Sequence, residues 1–160
     1  MSTPRVHALA DALRAQGWTL ATAESCSGGL IAGRCTDLAG SSDWFERGFV
    51  TYSNAAKSDM LGVDPQLIVR EGAVSEAVVR AMASGALKHS QAQVAVAVTG
   101  VAGPGGGSVA KPVGTVWFGW ATPRGLVSEV QHFDGDRAQV RLATVDHALQ
   151  RLVALLVTPA

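Results

Sequence analysis

Three short segments of the chain carry side chains suited to acyl chemistry on a small molecule. The first is Glu24-Ser25-Cys26-Ser27-Gly28-Gly29, which ends a short apolar run (Trp18 to Ala23) and leads into a helix-like stretch. Hydroxyls at such a strand-to-helix turn sit where free backbone N–H groups can hold an anion, and Gly28 and Gly29 let that backbone come close. The second is Thr51 to Lys57, with Tyr52 at the end of a strand and Lys57 one turn into a short helix. A partly desolvated lysine beside a serine can lose its proton and act as a general base. A neighbouring tyrosine hydroxyl can relay a proton or donate to an oxyanion. The third is Thr99-Gly100-Val101-Ala102-Gly103-Pro104 and the glycines to Gly107, again after a buried-looking strand. Each segment also has a plain structural reading: tight turns, a solvated lysine, a rim aromatic.

Other patterns narrow the choice. The Gly-rich segment lacks the Gly-Lys-Ser/Thr ending of a P-loop, no Gly-x-Gly-x-x-Gly follows either strand, and there is no Gly-x-Ser-x-Gly elbow. Cys26 rivals Ser25 as nucleophile, because a helix N-terminus lowers a thiol pKa. Adjacent residues point apart, so only one of the two is expected to face a ligand. His7, His89, His132 and His147 neighbour no candidate nucleophile. Arg137 falls in the first turn of the last helix, where a cation opposes the helix dipole. That mismatch suggests a phosphate partner, which guanidinium binds bidentately, against the reading of an ordinary exposed arginine.

These residues need elements to position them. Thr3 and Pro4 suit the start of a first helix that Gly17 ends. Trp18 to Ala23 reads as strand, about Ser27 to Leu38 as helix, and Trp44 to Tyr52 as strand. Ser53 or Asn54 caps a short helix to Met60. Ser75 caps a long one with Val78, Val79, Met82 and Leu87 inward. Val94 to Gly100 has the composition of a buried central strand. The runs Gly114 to Thr122 and Leu126 to Phe133, separated by Pro123-Arg124-Gly125, signal a hairpin and hence an antiparallel strand. A final helix runs from about Asp136 to Val157. Helices between most strands imply a three-layer α/β/α sandwich around a mixed, mostly parallel sheet, in one domain over residues 1–160.

Composition excludes several classes. The 13 basic and 13 acidic residues balance, with no clustered basic excess for nucleic acid. No run is long and apolar enough for a membrane span, and the start lacks a signal-peptide pattern. Two cysteines and four scattered histidines form no metal-ligand spacing. Cys26 and Cys35 fit reduced thiols in a cytoplasmic protein.

In order along the chain, AESCSGGLIAGRCTDLAGSS, FVTYSNAAKSDMLGV, GAVSE, AVTGVAGPGGG, KPVGTVWF and FDGDRAQVR resemble the C-terminal domain family of the competence/damage-inducible protein CinA. Its stand-alone members are nicotinamide-mononucleotide deamidases. The resemblance spans about Val6 to Leu156. It implies an α/β/α domain that hydrolyses the carboxamide of nicotinamide mononucleotide to nicotinate mononucleotide and ammonia, with no metal or cofactor, in a homo-oligomer with a dimer favoured. Matching motifs nominate Ser25 as nucleophile with Lys57 and Tyr52 as catalytic partners. They nominate Glu24, Ser27, Gly28, Gly29, Ser42, Thr99, Gly100, Gly103 and Arg137 around the substrate, the Gly100 to Gly107 loop and Arg137 holding its phosphate. Ser27 stands where the family more often has Thr, which keeps the hydroxyl. Two alternatives stay open: a silent nucleotide-binding module of the same fold, and an amidase for another small nucleotide-like amide.

Overall fold

In the computed structural model, which describes residues 3–158, the alternating run Val94–Gly100 (β3) is the middle strand of a five-stranded sheet. Its valines and alanines point to opposite faces, as strand pleating requires. Val94, Val96 and Val98 join one core, and Ala95 and Ala97 join another. The sheet order is β2 (Phe45–Val50), β1 (Leu20–Glu24), β3, β4 (Thr115–Thr122), β5 (Gly125–His132).

On the valine face lie α1 (Thr3–Gln16), α2 (Leu30–Thr36) and α6 (Arg137–Val157), with Leu9, Leu13, Ile31, Val145, Leu149 and Leu152 buried. The Thr3 side chain, expected to cap α1, lies outside the described residues. On the alanine face lie α3 (Asn54–Leu61), α4 (Pro65–Glu71) and α5 (Glu76–Lys88). Small residues on that face let α5 come close: a Cβ on Gly119 of β4 would lie 3.0 Å from the Val79 carbonyl oxygen. The caps follow the side chains. Ser53, Ser75 and Asp136 each accept from a backbone N–H in the first turn of α3, α5 and α6, and Asp136 forms a capping box with Gln139.

One expectation is corrected, and one helix is added. The sheet is not mostly parallel: β1 pairs in parallel with β2 and β3, while β3–β4 and β4–β5 are antiparallel. The Gly-rich connection from β3 to β4 contains no helix to carry the chain back over a face, so β4 returns antiparallel. Helix α4 was not anticipated from the sequence. Its signals are present, since Asp64 accepts from Gln66 N, Pro65 opens the helix and Gly72 follows it.

What matters for function is where the parallel strands end. Glu24 of β1 is in register with Val50 of β2 and Val98 of β3. The segments after all three strands therefore meet at one edge of the sheet. From β1 the chain crosses to β2 on one side, and β3 lies on the other, which opens a crevice of the kind that binds ligands in open α/β sheets.

Candidate active site

Ser25 is the first residue beyond β1. Its N–H still donates to the Val98 carbonyl at 3.2 Å, and its own carbonyl accepts from Gly28 N at 3.0 Å, closing a tight turn. The turn needs its glycines, because Gly28 and Gly29 have φ of +58° and +100°, the left-handed region. Glu24 lies beneath it, fully buried. Its carboxylate accepts from Ser27 Oγ at 2.6 Å, Ile31 N at 2.8 Å and Ala32 N at 2.9 Å. The negative charge thus takes up the free N–H groups that open α2.

The second wall is the Thr51 to Lys57 segment. Ser53 sets the start of α3, and Lys57, one turn in, directs its side chain back under the sheet edge with 1 % exposure. Lys57 Nζ lies 3.2 Å from Ser25 Oγ, 3.1 Å from the Thr51 carbonyl oxygen and 3.2 Å from the Tyr52 carbonyl oxygen. Burial lowers its pKa from the ordinary lysine value, against a smaller upward pull from the Cys26 thiol nearby. A neutral amine in this place donates its two hydrogens to the two carbonyls. Its lone pair is then left for the serine hydroxyl.

The third wall comes from the end of β3. Thr99 is buried and donates to the Ala73 carbonyl at 3.0 Å, tying the strand end to the link between α4 and α5. Arg137 reaches over from α6, donating to the Gly103 carbonyl at 2.9 Å and to the Tyr52 hydroxyl at 3.2 Å. These walls enclose a cavity of about 230 Å³, lined by Ser25, Cys26, Tyr52, Asn54, Lys57, Thr99, Gly100 and Arg137 among others. Among the described residues no group of three or more His, Cys, Asp or Glu side chains could hold a metal ion.

The fold brings together Ser25, Lys57, Thr99, Gly100, Tyr52 and Arg137, and it places the others differently. Glu24 and Ser27 face each other inside the turn and support it. Gly28 and Gly29 shape it, and Gly103 offers its carbonyl to Arg137. Ser42 does not reach this cavity. It is exposed in a 3-10 turn (Ser41–Asp43) before the amino end of β2, at the opposite end of the sheet. Tyr52 also differs from expectation: its side chain is 60 % exposed with the hydroxyl on Arg137, and only its backbone carbonyl touches Lys57. A strand end sends the side chain and the carbonyl to different sides, which spacing alone does not resolve. Ser25 and Cys26 both line the cavity, against the expectation that only one would. Burial pushes the Cys26 thiol up to about 11, so Cys26 is protonated and a poor nucleophile.

Sequence reasoning missed Arg141, and gave Asn54 no role beyond a helix face shared with Lys57. Asn54 lines the cavity beside Lys57, on the helix face their i, i+3 spacing gives them. Arg141 reaches the turn from α6, and its signal was the i, i+4 spacing from Arg137.

The CinA C-terminal domain model matches residues 3–156. The chain belongs to the CinA C-terminal domain family. Within that family it is 56 % identical over 155 residues to the nicotinamide-nucleotide amidohydrolase PncC of Enterobacter agglomerans, covering 94 % of both chains. It is 56 % identical over 143 residues to PncC of Escherichia coli K12, covering 89 % of this chain and 87 % of that one. Among solved structures it is similar to the competence/damage inducible protein CihA of Agrobacterium tumefaciens. That similarity has a TM-score of 0.91, 47 % identity, and coverage of 95 % of this chain and 93 % of that one. No helix of the described residues is long and apolar enough to cross a membrane.

Proposed function

We propose that this member of the CinA C-terminal domain family is a nicotinamide-nucleotide amidohydrolase. It converts nicotinamide mononucleotide and water to nicotinate mononucleotide and ammonia, a step in pyridine-nucleotide recycling. The relatives at 56 % identity, matched over nearly their whole length, support the activity. The observation that carries the chemistry is the 3.2 Å contact between Lys57 Nζ and Ser25 Oγ at the floor of the cavity.

Neutral Lys57 takes the Ser25 proton as Oγ bonds to the carboxamide carbon. Backbone N–H groups of the Ser25 turn serve the oxyanion. The carbon–nitrogen bond then breaks, and Lys57 returns the proton to the leaving ammonia. Water, deprotonated by the same amine, adds to the acyl-enzyme and releases the acid with Ser25 Oγ reprotonated. Tyr52 and Arg137 stand at the mouth, where the guanidinium and the Gly100 to Gly107 loop suit the 5′-phosphate. Thr99 shapes the wall opposite the lysine. The reaction as written needs no cofactor. The reduced thiols Cys26 and Cys35 support a cytoplasmic protein, and the resemblance supports a homo-oligomer, dimer favoured, with a small nucleotide as its ligand; sedimentation of the purified protein measures the oligomeric state.

The test is ammonia release from nicotinamide mononucleotide by the parent and by Ser25→Ala and Lys57→Ala. Turnover that both variants lose, with an acyl adduct trapped on Ser25 by mass spectrometry, supports the reading. A folded parent that binds the nucleotide without releasing ammonia refutes it in favour of a binding module. Ammonia from other amides alone would move the substrate assignment.

A further inference from the structure

A nucleophile carried on a short turn must be held from both sides. Glu24 and the opening N–H groups of α2 hold this one from beneath. The other side is held by α6. Arg141 lies one helical turn after Arg137 and on the same face. Its Nε donates to the Cys26 carbonyl at 3.1 Å and its Nη2 to the Ser27 carbonyl at 3.2 Å. Gly28 makes room for this approach, since a Cβ there would lie 3.2 Å from Nη2.

We propose that Arg141 is a positioning residue for the reaction: by taking the Cys26 and Ser27 carbonyls, it fixes the peptide planes after Ser25 and so aims the Ser25 hydroxyl and the turn's N–H groups. The proposal rests on the amidohydrolase reading above. In a trans peptide the carbonyl and the following N–H point in opposite directions. A Cys26 carbonyl tied to α6 therefore turns the Ser27 N–H away from α6. A Ser27 carbonyl tied the same way orients the Gly28 N–H, which donates to the Ser25 carbonyl at 3.0 Å. The guanidinium is thereby linked to the nucleophile's own backbone through two hydrogen bonds. Arg141 does not line the cavity, whereas Arg137 does. The two arginines of one helix face thus divide the work: Arg137 meets the ligand, and Arg141 holds the residue that attacks it.

The experiment compares the parent chain, Arg141→Ala, Arg141→Lys and Arg137→Ala on nicotinamide mononucleotide, with hydrogen exchange read at the Cys26 to Gly29 amides. A displacement of about 1 Å at a reacting group costs on the order of 100-fold in rate. Arg141→Ala is expected to lose roughly 30- to 100-fold in kcat with KM within about twofold, and to exchange faster at the turn. Arg141→Lys, which keeps the cation and one donor, recovers part of the rate. Arg137→Ala raises KM instead. An unchanged kcat in Arg141→Ala, a loss confined to KM, or unaltered exchange at the turn overturns the proposal. If the alanine variant does not fold, the lysine variant carries the same comparison. A parent that releases no ammonia defeats the amidohydrolase reading, and exchange at the turn then decides the role of Arg141 on its own.

Discussion

Replacing Glu24 with glutamine changes one atom in a fully buried site, so its cost follows from three contacts. Oε1 accepts from Ser27 Oγ and Ile31 N, and Oε2 accepts from Ala32 N. Glutamine has only one acceptor oxygen, so its NH₂ must face the N–H of either Ile31 or Ala32. The serine hydroxyl can turn to accept, but a backbone N–H cannot. One buried donor is left unpaired at about 1–3 kcal/mol. Loss of the negative charge at the start of α2 adds about 0.3–1 kcal/mol. The sum is roughly 1.3–4 kcal/mol. At about 2–4 °C per kcal/mol for a chain of this size, Tm should fall by about 3–16 °C. Thermal unfolding of Glu24→Gln beside the parent at neutral pH measures it. A shift of less than about 2 °C would refute the claim that this carboxylate holds the turn.

Three further outcomes follow from the same geometry. In the proposed reaction neutral Lys57 is the active form, and burial lowers its pKa from the ordinary 10.5, so kcat/KM should rise with pH to an inflection below that value. Between the folded and unfolded lysine values the unfolded chain binds the extra proton, so stability should also rise with pH there, a slope that Lys57→Met lacks; an inflection at or above 10.5 argues against the assignment. With Cys26 at about 11, roughly one thiol in a thousand is ionised at pH 8, so iodoacetamide should modify it only very slowly in the native protein, and rapid alkylation would count against the buried site. Gly85→Ala would drive a Cβ into the Leu61 carbonyl where α5 supports α3. It should cost about 1–3 kcal/mol and slow turnover through Lys57, and an unchanged melting curve would contradict that packing.

Much of the element order could be read from local signals because those signals are local physics. The Val94 to Gly100 run, the serine and aspartate caps and the Pro123-Arg124 hairpin each depend on a few adjacent residues. Helix α4 had equally local signals at Asp64, Pro65 and Gly72, and its shortness hid any periodicity. Strand direction was less legible. Whether β4 returns parallel or antiparallel depends on the path of a Gly-rich loop, and loops carry no periodic pattern.

By itself the sequence determined which side chains were available, and at which strand ends: a serine after β1, a lysine one turn into α3, an arginine at the start of α6. The motifs that place the chain in the CinA C-terminal domain family are likewise written along it. Only the tertiary structure decided which of those residues meet. The shared register of Glu24, Val50 and Val98 brings Ser25 within reach of Lys57, while the same strand β2 carries Ser42 to the far end of the sheet. Direction was also decided in three dimensions. Glu24 turns inward because the unpaired N–H groups of α2 need an acceptor, and Tyr52 turns outward to Arg137 while its carbonyl stays on Lys57. Spacing along a chain sets what can share a face; which way a side chain turns depends on the hydrogen-bond partners that distant segments bring to it.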